Sequence, residues 1–330
     1  MLKLSLILSS ILLLFSCGKT ADEETLGVVL SANIALSSGE CQKAIDTLEN
    51  HGRVNTSAPY LKTLASAYAC RAGYSTVTFF ASDFALTTTK VPLGGLTLYS
   101  TSSTAVTSTL QNDEVFKDLQ KAIDILLYAG GIASDSEPTS AARAKHFSSS
   151  VAGDIDTQLL YLVLVQLGRY MNYYGNVSAA GDKGGGSGSN TCFSSYESAN
   201  AAIRAAIANP ASTLTCKNSV DTAASHTQLS SAVLATTRKT RLCQGVVLLN
   251  GLTALLPNVV ASIFSDAVTK AAALAAVSVV TLAQAALVFA DSTTSTVAYT
   301  QNQSICENTG YVNVSNIESY FGLMFEGALQ

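Results

Sequence analysis

Apolar residues recur along this chain at intervals of three and four, the spacing of one buried helical face. Taken segment by segment, the periodicity predicts helices over 24–37, 40–50, 57–72, 112–129, 138–150, 154–174, 195–209, 224–256, 259–290 with a break, and 313–327. Runs rich in Ala and Leu with few prolines reinforce it, because Ala and Leu cost least in a helix and Pro most. Period-two alternation is convincing only in Val91 to Tyr99 (VPLGGLTLY), a candidate strand inside a Thr/Ser-rich insert over 87–110 that reads as a long loop. A second insert, 178–191, contains GDKGGGSGSN. It lacks both the GxGxxG spacing and the GKS/T ending of phosphate loops, so a flexible loop is expected there. Beyond it, Ser194-Ser195-Tyr196-Glu197 has the form of a capping box, with the Ser194 hydroxyl placed to accept from first-turn amides and Glu197 to reach back. Pro210 then closes the predicted helix. The fold class expected from this pattern is all-α.

The amino terminus follows a different pattern. Lys3 precedes an apolar run from Leu4 to Phe15, about a dozen residues, the length of a signal-peptide core rather than of a membrane span. The run ends Leu14-Phe15-Ser16-Cys17. Leu14, Ser16 and Cys17 resemble the lipobox of bacterial lipoproteins, with Phe15 bulkier than the usual occupant. The resemblance implies cleavage before Cys17, a diacylglycerol on its thiol and acylation of the new amino terminus. Two or three acyl chains exceed the single-chain threshold for stable anchoring, so the membrane is an expected partner without any spanning helix. Gly18 and Lys19 follow, with no Asp directly after the cysteine. By resemblance to enterobacterial sorting, that favours the outer membrane of the cell envelope. Residues 1–16 thus read as signal peptide, 17–25 as lipidated cysteine and tether, and 26–330 as a single all-helical domain.

Composition narrows the partners. Charged residues make up 13% of the chain and the net charge is −4, about half the usual charged share. Arg238, Lys239 and Arg241 form the tightest basic cluster, too small for a nucleic-acid face, so no nucleic-acid partner is expected. Cys41, Cys70, Cys192, Cys216, Cys243 and Cys306 remain once Cys17 is set aside, an even number in an export compartment that permits disulfides. Six cysteines allow fifteen pairings. Grouping each with its neighbour along the chain gives 41 with 70, 192 with 216 and 243 with 306, each pair bracketing one or two predicted helices. The absence of any CxxC pair disfavours zinc and thioredoxin-like chemistry.

Internal similarity is the most informative pattern. Gly39-Glu40-Cys41-Gln42-Lys43-Ala44-Ile45-Asp46-Thr47-Leu48 is similar to the turn and second helix of a tetratricopeptide repeat, with Ala44 at the small close-packing position. Tyr60 to Tyr68 resembles the first helix of the next repeat, Leu61, Leu64, Ala65 and Tyr68 falling on the family spacing. Leu164, Leu167, Gly168 and Met171 repeat that spacing, and Gly175 follows at the turn position. A small residue where two helices cross lets them approach, while large neighbours fill the flanks. His51 stands where a small residue is usual, Gly73 comes one position late, and long inserts separate the pieces. Over 26–87 and 154–209, the resemblance implies an irregular helical-repeat domain, with Cys41 and Cys70 on neighbouring antiparallel helices. An apolar helical part, 224–330, completes the chain. Within it, Ala271 to Ala290 has no charge. Its Ala, Ser, Thr and Gln content makes it a weak membrane span, and a buried core helix is expected.

Candidate chemistry is sparse. His51, His146 and His226 stand apart without ligand spacing, and Gly185-Gly186-Ser187-Gly188 is followed by Ser189, so it is no G-x-S-x-G elbow. Asp154 and Asp156 read as a helix start, as does Asp135-Ser136-Glu137-Pro138. No catalytic residue, metal site or cofactor is predicted. The expected function is that of a lipid-anchored scaffold or protein-binding module. An accessory lipoprotein of a periplasmic transporter, with a ligand cavity, and an envelope hydrolase are the alternatives.

Overall fold

Thr20 opens the described chain with a reciprocal cap. Its hydroxyl accepts from the Glu23 amide at 3.2 Å, and the Glu23 carboxylate accepts from the Thr20 amide at 2.9 Å. Helix α1 (Ala21–Ser37) therefore starts earlier than the periodicity indicated. The structure is a computed structural model and describes residues 20–86, 93–186, 192–208, 226–230, 233–263, 267–308, 310 and 312–326. Among these, every regular element is helical and none is a strand. The longer helices after α1 are α2 (Cys41–His51), α3 (Ala58–Arg71), α4 (Glu114–Leu127), α5 (Ser149–Tyr174), α6 (Ala201–Ala208), α7 (Ala235–Ile263), α8 (Ala267–Ala290) and α9 (Val314–Met324).

The helices pack in sequence order. α1 lies on α2 and α3, α3 on α4, α4 on α5, α5 on α7, and α7 on α8 and α9. One buried apolar cluster runs through this series, from Val29 in α1 to Phe325 just past α9. Two glycines set close approaches. A Cβ on Gly168 of α5 would lie 2.2 Å from the Leu96 carbonyl oxygen, and one on Gly245 of α7 would lie 2.8 Å from the rings of Phe321 and Tyr170. Stacked rings of Phe321 and Phe325, 4.2 Å apart, fill the space beside them.

Several local expectations are corrected. Over Gly94–Leu98 the candidate strand is a 3-10 helix, buried against α5 at Gly168, with no neighbouring strand to take up its backbone hydrogen bonds; Val91 and Pro92 lie outside the described residues. Otherwise the described part of the insert is irregular, as expected of a loop, but it is partly buried, at Leu96, Thr97, Tyr99, Ser102 and Leu110. Arg169 of α5 holds it in place. Its guanidinium donates to Asp113 at 2.6 Å and to the Thr101 and Thr104 carbonyls at 3.0 and 3.1 Å.

The expected helix over 138–150 is broken. Ser140–Arg143 is helical, the chain then leaves the helix, and Ser148 caps a new start for α5 at Ser149. Buried Arg143 draws the chain in by donating to Asp156 (2.7 Å), the Pro138 carbonyl (2.7 Å) and the Leu127 carbonyl (3.1 Å). Asp154 and Asp156 consequently sit inside α5 rather than at its start.

The capping box at Ser194 does not form. Ser194 accepts from Arg238 at 2.9 Å and donates to the Leu229 carbonyl at 3.2 Å, while α6 begins only at Ala201, after Asn200 accepts from the Ala202 amide. Pro210 lies outside the described residues.

α7 is long and apolar enough to cross a membrane by length and composition, its most apolar 18-residue window having a mean hydropathy of 1.5, yet 61% of that window is buried in the fold. Its Asn250 is wholly satisfied: it donates to the Val297 and Thr300 carbonyls and accepts from Gln284 and Tyr320. That network fixes the inner face of α8, where Gln284 and Leu287 are buried. The outer face of α8 is open, with Leu282 71% and Phe289 95% exposed. By its described side chains, Ala271 to Ala290 is thus a surface helix with one buried side, not the buried core helix expected.

Candidate functional site

Cys17 lies outside the described residues, and so does Cys216. Cys192 is disulfide-bonded and buried. Cys41 and Cys70 form a disulfide with Cα atoms 5.6 Å apart, joining the first turn of α2 to the last turn of α3. Cys243 of α7 and Cys306 form another, with Cα atoms 5.7 Å apart, and both are wholly buried. Beside the first bridge, Arg71 makes a two-pronged pair with Asp118 of α4, at 2.5 and 2.7 Å, and donates to Gln42 of α2 at 2.6 Å.

The histidines are not brought together. His51 Nε2 is 3.2 Å from the Thr25 hydroxyl and its ring neighbours Tyr60. His146 is exposed beside Gly130, and the side chain of His226 lies outside the description. Among the described residues no cluster of three or more His, Cys, Asp or Glu side chains could hold a metal ion.

The glycine-rich insert is pinned over its described part. Lys183 is fully buried and its Nζ donates to Glu326 at 2.6 Å. Glu326 also accepts from the Phe193 amide at 2.6 Å and from the Tyr196 hydroxyl. Eight residues earlier, in α9, Glu318 pairs with Arg238 and accepts from the Ser198 amide at 2.7 Å. Burial pushes the Glu318 carboxyl up, and the Arg238 charge opposes that rise. These carboxylates are saturated by protein donors, which makes them structural ties.

An open groove lies between α3 and α5. Two open clefts, of about 580 and 660 Å³, share Asp154, Thr157 and Tyr161, so they form one continuous groove. Its floor is set by Gln158, whose side-chain amide donates to the Lys62 carbonyl at 3.1 Å and the Ser66 hydroxyl at 2.9 Å. Lys62 and Asp154 form a loose pair at 3.6 Å across it. At the far end, Phe80 stands edge-on to Tyr161, ring centroids 5.1 Å apart, and both contact the buried Phe79. Phe80 belongs to a π-helical turn, Phe79–Asp83, which tips its ring out toward the groove mouth. Burial raises the Tyr161 and Tyr74 hydroxyl pKa values, so both remain neutral donors over the physiological range.

No family model matches the chain, and neither a curated protein nor a solved structure is detectably similar to it. The groove therefore has to be interpreted from its own chemistry. It offers exposed aromatic surface, one cation, one anion and several hydroxyl and amide groups, with no nucleophile and base in hydrogen-bond reach. Such a lining suits an extended peptide, which presents apolar side chains and backbone polar groups in alternation. Sequence analysis did not single out Lys62, Phe80 or Tyr161 as binding residues. They are distant in the chain and no local motif links them; only the packing of α3 against α5 assembles them.

Proposed function

We propose that this protein is a lipid-anchored component of the bacterial cell envelope that binds an extended segment of a partner protein in the groove between α3 and α5. The groove, with half-exposed Phe80 over Tyr161 and the Lys62–Asp154 pair, is the observation that carries the reading. The anchor is supported by the sequence Leu14-Phe15-Ser16-Cys17. Tetratricopeptide-like pairing of α2 with α3 is supported by ties of opposite sense. Cys41 at the start of α2 meets Cys70 at the end of α3, and Tyr60 at the start of α3 donates to the Leu48 carbonyl near the end of α2 at 2.9 Å.

Acyl labelling of the whole protein tests the anchor: Cys17→Ser is expected to lose the label and leave the membrane fraction. A photo-cross-linker at Phe80 tests the groove. A discrete cross-linked partner is expected, and Lys62→Glu should reduce its yield several-fold with an unchanged thermal midpoint. Equal yield from Lys62→Glu and wild type would move the binding surface elsewhere.

A further inference from the structure

Six of the ten most exposed large apolar side chains among the described residues lie on the two helices that end the packing series. On α1 they are Leu26, Leu30 and Ile34, between 54% and 63% exposed; on α8 they are Leu274, Leu282 and Phe289. α2 to α5 and α7 each pack on at least two other helices, α6 packs on α9, and α8 packs on α7 and α9. Stacked-helix proteins ordinarily carry a polar outer face on their terminal units, because an apolar one invites the next unit to add. Here neither end is capped in that way.

The two faces also match in register and charge. On α1, Asp22, Leu26, Leu30 and Ile34 follow one another at four-residue intervals, one stripe along the helix. On α8, Lys270, Leu274, Ser278 and Leu282 do the same. Each stripe opens with a charge, of opposite sign; the α1 stripe continues with three apolar residues, the α8 stripe with two leucines flanking Ser278. Laid side by side in parallel, Asp22 meets Lys270, Leu26 meets Leu274, Leu30 meets Ser278 and Ile34 meets Leu282. Antiparallel pairing would instead set Asp22, Glu23 and Glu24 against Asp291 at the end of α8.

We propose that copies of this chain associate head to tail, the outer face of α8 in one copy packing in parallel on the outer face of α1 in the next. The contact is heterologous, so each copy keeps one free face and assembly continues past the dimer. A single helix pair buries less than the roughly 1,200 Å² of a standard stable complex. Association is therefore reversible and concentration-dependent, and it is favoured where copies are crowded.

Sedimentation velocity of the full exported chain in non-ionic detergent, over a concentration series, tests the proposal. Wild type is expected to grow beyond the dimer. Leu30→Glu disables the α1 face and Leu282→Glu the α8 face, so each variant alone should stay monomeric while their equimolar mixture gives a dimer and nothing larger. Both positions are exposed, and an unchanged thermal midpoint verifies folding. Asp22→Lys and Lys270→Asp should each weaken association at least several-fold, and the double exchange should restore it. Wild type monomeric throughout, a homodimer of either glutamate variant, or binding of the α1 face to phosphatidylethanolamine vesicles in place of a second copy would each overturn the proposal.

Discussion

Lys183 and Glu326 meet 2.6 Å apart with both side chains fully buried, tying the glycine-rich insert to the end of α9. The carboxylate serves three donors, Lys183, the Phe193 amide and the Tyr196 hydroxyl. Removing one partner of a buried pair typically costs about 3–5 kcal/mol because the other charge is left unmatched. Glu326→Leu strands a cation and two further donors, whereas Lys183→Met leaves the carboxylate with its remaining hydrogen bonds. Urea unfolding should rank Glu326→Leu as the most destabilised, the double variant next, and Lys183→Met least.

The two described disulfides should differ in accessibility. Cys41 and Cys70 are partly exposed, while Cys243 and Cys306 have no exposure. Timed alkylation and mass measurement under mild reductant is expected to show 41–70 opening first. With sequence separations of 29 and 63, loop-closure arguments give contributions of about 3–4 kcal/mol each. Cys41→Ser with Cys70→Ser should lower the thermal midpoint accordingly.

Asp124 makes stability depend on pH. Burial pushes its carboxyl up from 3.8 to about 6, against smaller opposing effects from the Gln120 amide, Lys121 and Arg53. Between those values the folded chain holds the proton more tightly than the unfolded chain, so this contribution to stability falls as pH rises through the window. Asp124→Asn should flatten the slope and stabilise the protein at pH 7 by on the order of 1 kcal/mol, allowing for partial solvent screening. Urea midpoints from pH 4 to 7 measure both effects.

The two sides of α8 should respond oppositely to charge. Leu287 is 2% exposed, facing α7 and α9, and Leu287→Glu must bury a carboxylate without a partner at a cost of several kcal/mol. Leu282→Glu lies in solvent and should shift stability by no more than about 0.5 kcal/mol. Comparable destabilisation of both would mean that the outer face is covered within the monomer.

Helix type and approximate position were determined by the sequence itself. A 3.6-residue period over ten or more positions, with Ala and Leu abundant and Pro rare, leaves the backbone little alternative. The spans around α1 to α5 and α9 show it, differing from their predicted ranges mainly at the caps. Pairing of Cys41 with Cys70 and of Cys243 with Cys306 followed from grouping each cysteine with its neighbour across one or two predicted helices, and for 41 with 70 from the tetratricopeptide-like register. What the sequence could not settle depended on partners distant in the chain. VPLGGLTLY alternates like a strand, yet Gly168 offers a socket in α5 and no strand lies alongside among the described residues, and Gly94–Leu98 coils into a 3-10 turn. Lys183 reads as a charge in a flexible loop until Glu326, far along the chain, supplies its counter-charge. Ala271 to Ala290 carries no charge on any side, so its composition cannot distinguish inside from outside; the Asn250–Gln284 hydrogen bond turns one face inward and leaves Leu282 and Phe289 in solvent. Local periodicity decides backbone conformation because helical hydrogen bonds close within four residues, whereas burial, charge pairing and the groove between α3 and α5 depend on groups that only folding brings together.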